Sequence, residues 1–286
     1  MTKGTDLKDR VVLMTGATSG IGKVAARRIA AMGPRMVLVV RDQARGMVAW
    51  EDITMSSGND KVELMIADLS SMEEVRLLAQ EFKRKYKRLH VLVNNAAIVP
   101  RERSVTVEGL ETQFAVNHMA YFLLTNLLLD VLKASAPARI INTASGQHSK
   151  ARLDMDDMQS ERGYRPMARY GQTKLMNMLF TNELSRRLQG TSVTVNSWTP
   201  GFTATGLGRD MSFGMRLGMR MFGKNPERAA ETLVHLVSSP DVAGVSGAYF
   251  KDSKEAECSK NARDEKLAAH LWRISEELSG LSKRKG

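Results

Sequence analysis

Tyr170 and Lys174 stand four residues apart in Tyr-Gly-Gln-Thr-Lys, a spacing that stacks two side chains on one face if the segment is helical. A phenol keeps its proton up to a pKa of about 10, too high for acid/base work near neutrality. An ammonium within a few ångström stabilises the phenolate, so Lys174 is expected to bring the Tyr170 pKa down. The pair reads as a proton donor for reducing a carbonyl, or an acceptor for oxidising an alcohol. Alone the spacing is weak evidence, because Tyr and Lys fall four apart by chance in many helices.

Its weight comes from a second pattern upstream, Thr15-Gly-Ala-Thr-Ser-Gly-Ile-Gly22. This follows Val11-Val-Leu-Met14, an apolar run that reads as a buried parallel strand, and precedes Lys23–Ala31, which has helical periodicity. Strand, glycine turn and helix together form the context of a dinucleotide site. Glycines let the backbone approach a pyrophosphate, and the helix N-terminus supplies free N–H donors and a positive dipole. Gly16, Thr18, Ser19, Gly20, Ile21 and Gly22 are the cradle on this reading. The spacing is G-x-x-x-G-x-G rather than the generic G-x-G-x-x-G. The bland alternative is a strand–turn–helix with no ligand.

The elements that must hold these two motifs follow from the wider pattern. Strands alternate with helical segments from residue 11 to 200, and no proline- or serine-rich linker divides the 286 residues. That predicts an α/β fold, a single domain over 1–286 with a doubly wound parallel sheet and helices on both faces. The cofactor-binding part is expected over about 8–145. The first ten residues are polar, so neither a signal peptide nor an N-terminal anchor is expected. The most apolar stretch, Met119–Leu132, carries Asn126 and Asp130 and is too short to span a bilayer. One cysteine, Cys258, permits no internal disulfide and suits a reducing, cytoplasmic setting. Net charge is +11, with basic runs at Lys83–Arg88, Arg209–Lys224 and Lys283–Lys285. No recognition motif accompanies them, so solvated faces are expected rather than nucleic-acid binding. No His, Cys and carboxylate cluster has metal-ligand spacing, and no metal is expected.

Further signatures appear in order. Asp68-Leu69 follows the strand Val62–Ile66, and Asn94-Asn-Ala-Ala97 follows Leu89–Val93. Asn117 lies in a long apolar helix, Ser145 ends the strand Ile140–Ala144, and Pro200-Gly201 follows Val193–Ser197. With the two motifs above, the chain resembles the short-chain dehydrogenase/reductase family over nearly its whole length. Arg41–Gly46, Leu175–Gly190, Gly247-Ala-Tyr-Phe250 and Leu271-Trp272 are similar to its retinol-dehydrogenase-like branch, as are the 24 residues between Ser145 and Tyr170. Many members of that branch carry a hydrophobic N-terminal anchor, a point of departure here, as are Ala97 for glycine and Thr173 for serine.

The resemblance implies a Rossmann-type fold and a catalytic set of Asn117, Ser145, Tyr170 and Lys174. Ser145 would hydrogen-bond the substrate oxygen, and with Tyr170 stabilise the charge developing there. Lys174 would also bond the nicotinamide-ribose hydroxyls, and Asn117 would hold a backbone kink and a water relaying protons to Lys174. Asp68 and Leu69 would contact adenine, Asn94 and Ala96 would line the cofactor, and Pro200, Thr203 and Thr205 would grip the carboxamide. A substrate lid is implied over about 203–224. There Met211–Phe222 mixes four methionines, two phenylalanines and two glycines, suited to a lipophilic substrate. A short amphipathic helix packed on the core is the equal alternative, and weak peripheral contact with an anionic membrane a minor one. The apolar helices Asn117–Leu132 and Gln172–Leu188 are expected to pair subunits into a homo-oligomer.

Cofactor choice is read at the end of the strand Met36–Val40. NAD-preferring sites place an acid there to take the ribose 2′-hydroxyl. Here the position is Val40, and Arg41 follows at once, with Arg45 a second cation. A guanidinium takes a 2′-phosphate in bidentate fashion, so NADP(H) is expected, tempered by Asp42. His148 and Tyr164 read as structural or pocket-rim residues. The chain is thus expected to be an NADP(H)-dependent oxidoreductase interconverting a lipophilic aldehyde or ketone with its alcohol. The alternatives are a carbon–carbon double-bond reductase or a regulatory protein that kept the fold.

Overall fold

A computed structural model of the chain describes residues 7–201 and 225–282. One sheet organises it. Its strands are β1 (Val11–Thr15), β2 (Arg35–Val40), β3 (Val62–Ile66), β4 (Val91–Asn94), β5 (Ala138–Thr143), β6 (Val193–Thr199), β7 (Tyr249–Lys251) and the two-residue β8 (Lys254–Glu255). Their order is β3-β2-β1-β4-β5-β6-β7-β8. All neighbours pair in parallel except β7 with β8, an antiparallel edge. The expected doubly wound sheet is therefore present, with that one edge hairpin added.

The strands read as unbroken apolar runs because both faces are covered. Successive side chains of a strand point to opposite faces. Leu13, Val37 and Val39 join one core with Phe82, Leu124 and Phe180. Their neighbours Val12, Met14, Met36 and Leu38 join the opposite core with Ile21, Ala25 and Leu233. The helices are α1 (Gly20–Ala30), α2 (Gln43–Ser57), α3 (Met72–Lys85), α4 (Thr112–Phe114), α5 (Ala120–Ala134), α6 (Pro166–Arg187), α7 (Pro226–Ser238) and α8 (Glu265–Leu278). Helices α4 and α5 are joined without a break by a π turn, Ala115–Met119.

That continuous helix, Thr112–Ala134, is long and apolar enough to cross a membrane by length and composition, with mean hydropathy 1.3 over an 18-residue stretch. It runs longer than the stretch marked out in the sequence, and 72% of those 18 residues are buried within the fold, the situation of a core helix. Strand order reverses between β1 and β4, and open α/β sheets bind ligands in the crevice at such a point. The carboxyl ends of β1, β4 and β5 deliver the glycine turn, Asn95 and Ser145 to that edge.

Candidate active site

The glycine turn is shaped by what it touches. Gly16 has φ +71°, a conformation that side chains disfavour, and a Cβ there would sit 2.7 Å from the Ala96 backbone. At Gly22 a Cβ would run into the Gly16 carbonyl and lie 2.7 Å from Asn95 Nδ2. The glycines therefore bring α1 and the β4 loop together, and the same bareness lets a ligand approach backbone. Ser19 precedes α1 with extended backbone, makes no side-chain cap, and no acid lies in the first turn. The helix N-terminus keeps its positive character for an anion.

Beyond β2, Arg41 is exposed, with no hydrogen bond or ion pair among the described residues. Asp42 is occupied: its carboxylate accepts from the Arg45 backbone at 2.8 Å and caps α2. The acid that tempered the NADP(H) expectation thus has a structural use. Asp68 similarly accepts from Ser70 N at 2.9 Å, ordering the turn after β3.

The two asparagines after β4 separate sharply. Asn94 is fully buried, and its amide donates to Thr125 Oγ1 at 3.0 Å and Asn142 Oδ1 at 2.9 Å. Its side chain is committed to the core. Asn95, not marked out in the sequence, bonds the Gly16 carbonyl at 3.0 Å and faces the glycine turn. Ala96 N donates to Thr15 Oγ1 at 3.0 Å, beside the same turn. The strand's own alternation decides this, since adjacent residues face opposite ways.

Helix α6 carries the proton-transfer pair. Tyr170 is 9% exposed and Lys174 wholly buried, with the ammonium nitrogen 5.4 Å from the Tyr170 ring centre and 5.6 Å from that of Tyr121. Lys174 Nζ donates to the Thr143 carbonyl at 2.9 Å. Ser145 follows β5 at the head of a 3₁₀ turn, and its hydroxyl stands on the side of the Tyr170 phenol, where it favours the phenolate. The energetics correct the reading from spacing alone. Burial pushes Tyr170 up to about 12, with the Ser145 hydroxyl opposing it, and burial pushes Lys174 down to about 7. Four-residue spacing counts the attraction between two charges but omits what desolvating each one costs.

Asn117 sits in the π turn and is fully buried. Its amide donates to the Ile98 carbonyl at 3.0 Å and Thr173 Oγ1 at 3.2 Å, while its Oδ1 accepts from Ile98 N at 2.8 Å. It clamps the β4 loop to the α6 turn between Tyr170 and Lys174, and the π turn is the kink expected at this residue. Pro200 and Gly201 follow β6, with Gly201 at φ +76°. Thr203, Thr205 and the 203–224 lid lie outside the described residues.

His148 is structural, as expected: Nδ1 lies 2.7 Å from the Ser145 carbonyl and Nε2 accepts from Ser259 N at 3.3 Å. Tyr164 donates to the Pro100 carbonyl at 3.0 Å. A buried ion pair escaped the sequence reading altogether. Arg169 Nε meets Glu111 Oε2 at 2.7 Å, and both side chains are at most 2% exposed. Glu111 also caps α4, and Arg169 directly precedes Tyr170, so the pair braces one site element against the other.

The expected subunit-pairing face is already covered in part. Trp272 of α8 packs 4.9 Å from Phe122 of α5 and 5.8 Å from Phe180 of α6, ring centre to ring centre. The Arg187 guanidinium lies over that indole, 4.1 Å from its ring centre.

Known proteins are similar to this chain in sequence and fold. The family model described as short chain dehydrogenase matches residues 10–214. Retinol dehydrogenase 14 of Homo sapiens is 41% identical over 293 residues, covering 96% of this chain and 87% of that protein. Retinol dehydrogenase 12 of Mus musculus is 39% identical over 283 residues, covering 98% and 89%. Among solved structures, an uncharacterized protein from Mycobacterium Paratuberculosis superposes with TM-score 0.80 at 28% identity, covering 97% of this chain and 96% of that one. A Pseudomonas aeruginosa RhlG/NADP active-site complex does so with TM-score 0.71 at 26% identity, covering 87% and 97%.

Proposed function

The chain belongs to the short-chain dehydrogenase family, in its retinol-dehydrogenase-like branch, and from that premise we propose an NADP(H)-dependent oxidoreductase that interconverts a lipophilic aldehyde, of retinal type, with its alcohol. The observation that carries this is the convergence of the Tyr170 phenol, the Ser145 hydroxyl and the buried Lys174 at the carboxyl edge of the sheet. Retinoid chemistry comes from the relatives' names and agrees with the apolar Met211–Phe222 segment.

The turn Gly16–Gly22 and the open N-terminus of α1 fit a pyrophosphate, and exposed Arg41 fits a 2′-phosphate. When bound, the nicotinamide supplies or takes the hydride. Ser145 and Tyr170 hold the substrate oxygen, and Tyr170 gives it a proton as negative charge grows there. A phenol at about 12 remains a far stronger acid than an alcohol, so transfer to a forming alkoxide runs downhill. Lys174, lowered by burial to about 7, is in part protonated near neutrality, and its ammonium stabilises the phenolate left behind by the transfer.

The test is a cofactor-oxidation screen over all-trans-retinal, a steroid ketone and a monoterpene aldehyde, with NADPH and NADH in parallel. Fastest turnover is expected for all-trans-retinal with NADPH. Preference for NADH, or no turnover of any apolar carbonyl by protein that binds NADPH, would contradict the reading.

A further inference from the structure

Next to Asn117 in the π turn stands His118, fully buried and reaching the other way. Its Nε2 lies 3.0 Å from Ser275 Oγ of α8. Ser275 spends its own proton on the Leu271 carbonyl at 2.8 Å, so the imidazole is the donor to the hydroxyl oxygen. The ring lies flat against Phe114, centres 5.6 Å apart, and edge-on to Phe180 at 6.2 Å. Burial drives the imidazole down to about 3, so this is a bond between neutral partners at any ordinary pH. Asn177, three residues beyond Lys174 in α6, borders the same ring and donates to the Thr143 carbonyl at 3.2 Å. That carbonyl also receives Lys174 Nζ.

A π turn is rare because it gives up regular helical register, and it persists where surrounding contacts hold it. Here two successive residues hold it from opposite sides, Asn117 on Ile98 and Thr173, His118 on Ser275. We propose that His118 and Ser275 are positioning residues: their hydrogen bond pins the π turn, and through it the C-terminal helix α8 keeps Asn117 clamped between the β4 loop and the Tyr170–Lys174 turn. Docking of α8 is thereby a condition of catalytic geometry, not only of stability.

The claim rests on the oxidoreductase reading, and its test separates the two. Ser275→Ala removes the acceptor without adding bulk. Ile274→Ala, in the same helix, removes packing and leaves the hydroxyl in place. For Ser275→Ala, kcat with NADPH and all-trans-retinal is expected to fall roughly tenfold at unchanged KM for NADPH, less than the ~10²-fold that an ångström of misplacement can cost. Amide hydrogen exchange over residues 115–119 should quicken in the same variant. Ile274→Ala should lower Tm at least as much, with kcat and exchange over 115–119 as in wild type. Wild-type kcat and exchange in Ser275→Ala would overturn the proposal. So would losses of kcat that track Tm equally in both variants. Wild-type protein that reduces no carbonyl would sink the oxidoreductase reading instead, and the exchange measurement, which needs no substrate, would still decide the positioning claim.

Discussion

At the end of β1 the working surface is bare backbone, whereas in α6 it is side chain held away from water. Gly16 and Gly22 contribute by having nothing beyond Cα, because a methyl at either would strike the Ala96 backbone, the Gly16 carbonyl or Asn95. Tyr170 and Lys174 contribute through groups whose ionisation is opposed by burial on all sides. A backbone site is cheap to keep and intolerant of change. A buried lysine is costly to keep, and removing it relieves the fold while abolishing the chemistry. One region's function agrees with stability and the other's opposes it.

The sharpest way to break that contrast is Gly22→Ala. The added methyl meets backbone rather than a flexible side-chain tip, so overpacking is expected to cost about 3 kcal/mol or more and to lower NADPH affinity together with Tm. A variant with wild-type Tm and affinity would show that the turn has room. Next in size is Arg41→Ala, at the rim of the backbone site. Loss of a charge-assisted phosphate contact should weaken NADPH by roughly 10- to 150-fold and NADH hardly at all. Equal losses for both cofactors in a binding titration would place the 2′-phosphate elsewhere.

Lys174→Met gives the smallest expected effect on stability, and one of opposite sign. The folded-state pKa of about 7 lies below the ordinary 10.5, so between those values the unfolded chain binds more protons than the folded one. Stability of the wild type should therefore rise with pH across that window. The methionine variant should lack that rise and show a higher Tm at pH 7, with turnover gone. A lower Tm for Lys174→Met at pH 7 would mean that its bond to the Thr143 carbonyl outweighs desolvation.

What could be read in advance divides along the same line. The alternation of strands with helices, the glycine turn and the α6 spacing were legible because each is a local pattern with one backbone solution. Asp42 looked like a competitor for the ribose because sequence gives its charge but not the Arg45 amide that it caps. The motif Asn94-Asn95 names residue types, while the pleat of β4 decides which of the two side chains meets the glycine turn. Glu111 and Arg169 meet across 58 residues, a separation that leaves no periodic trace. The upward shift of the Tyr170 pKa leaves no trace in the spacing, because burial is a property of the packed fold.

The proposed reduction turns on Tyr170 as the proton donor, and one variant isolates it. Tyr170→Phe keeps the ring and its packing but has no proton to give. Single-turnover reduction of all-trans-retinal by the NADPH complex should slow by about 10²–10⁴-fold, with NADPH affinity unchanged. Reduction at the wild-type rate by the phenylalanine variant would contradict the assignment of the site.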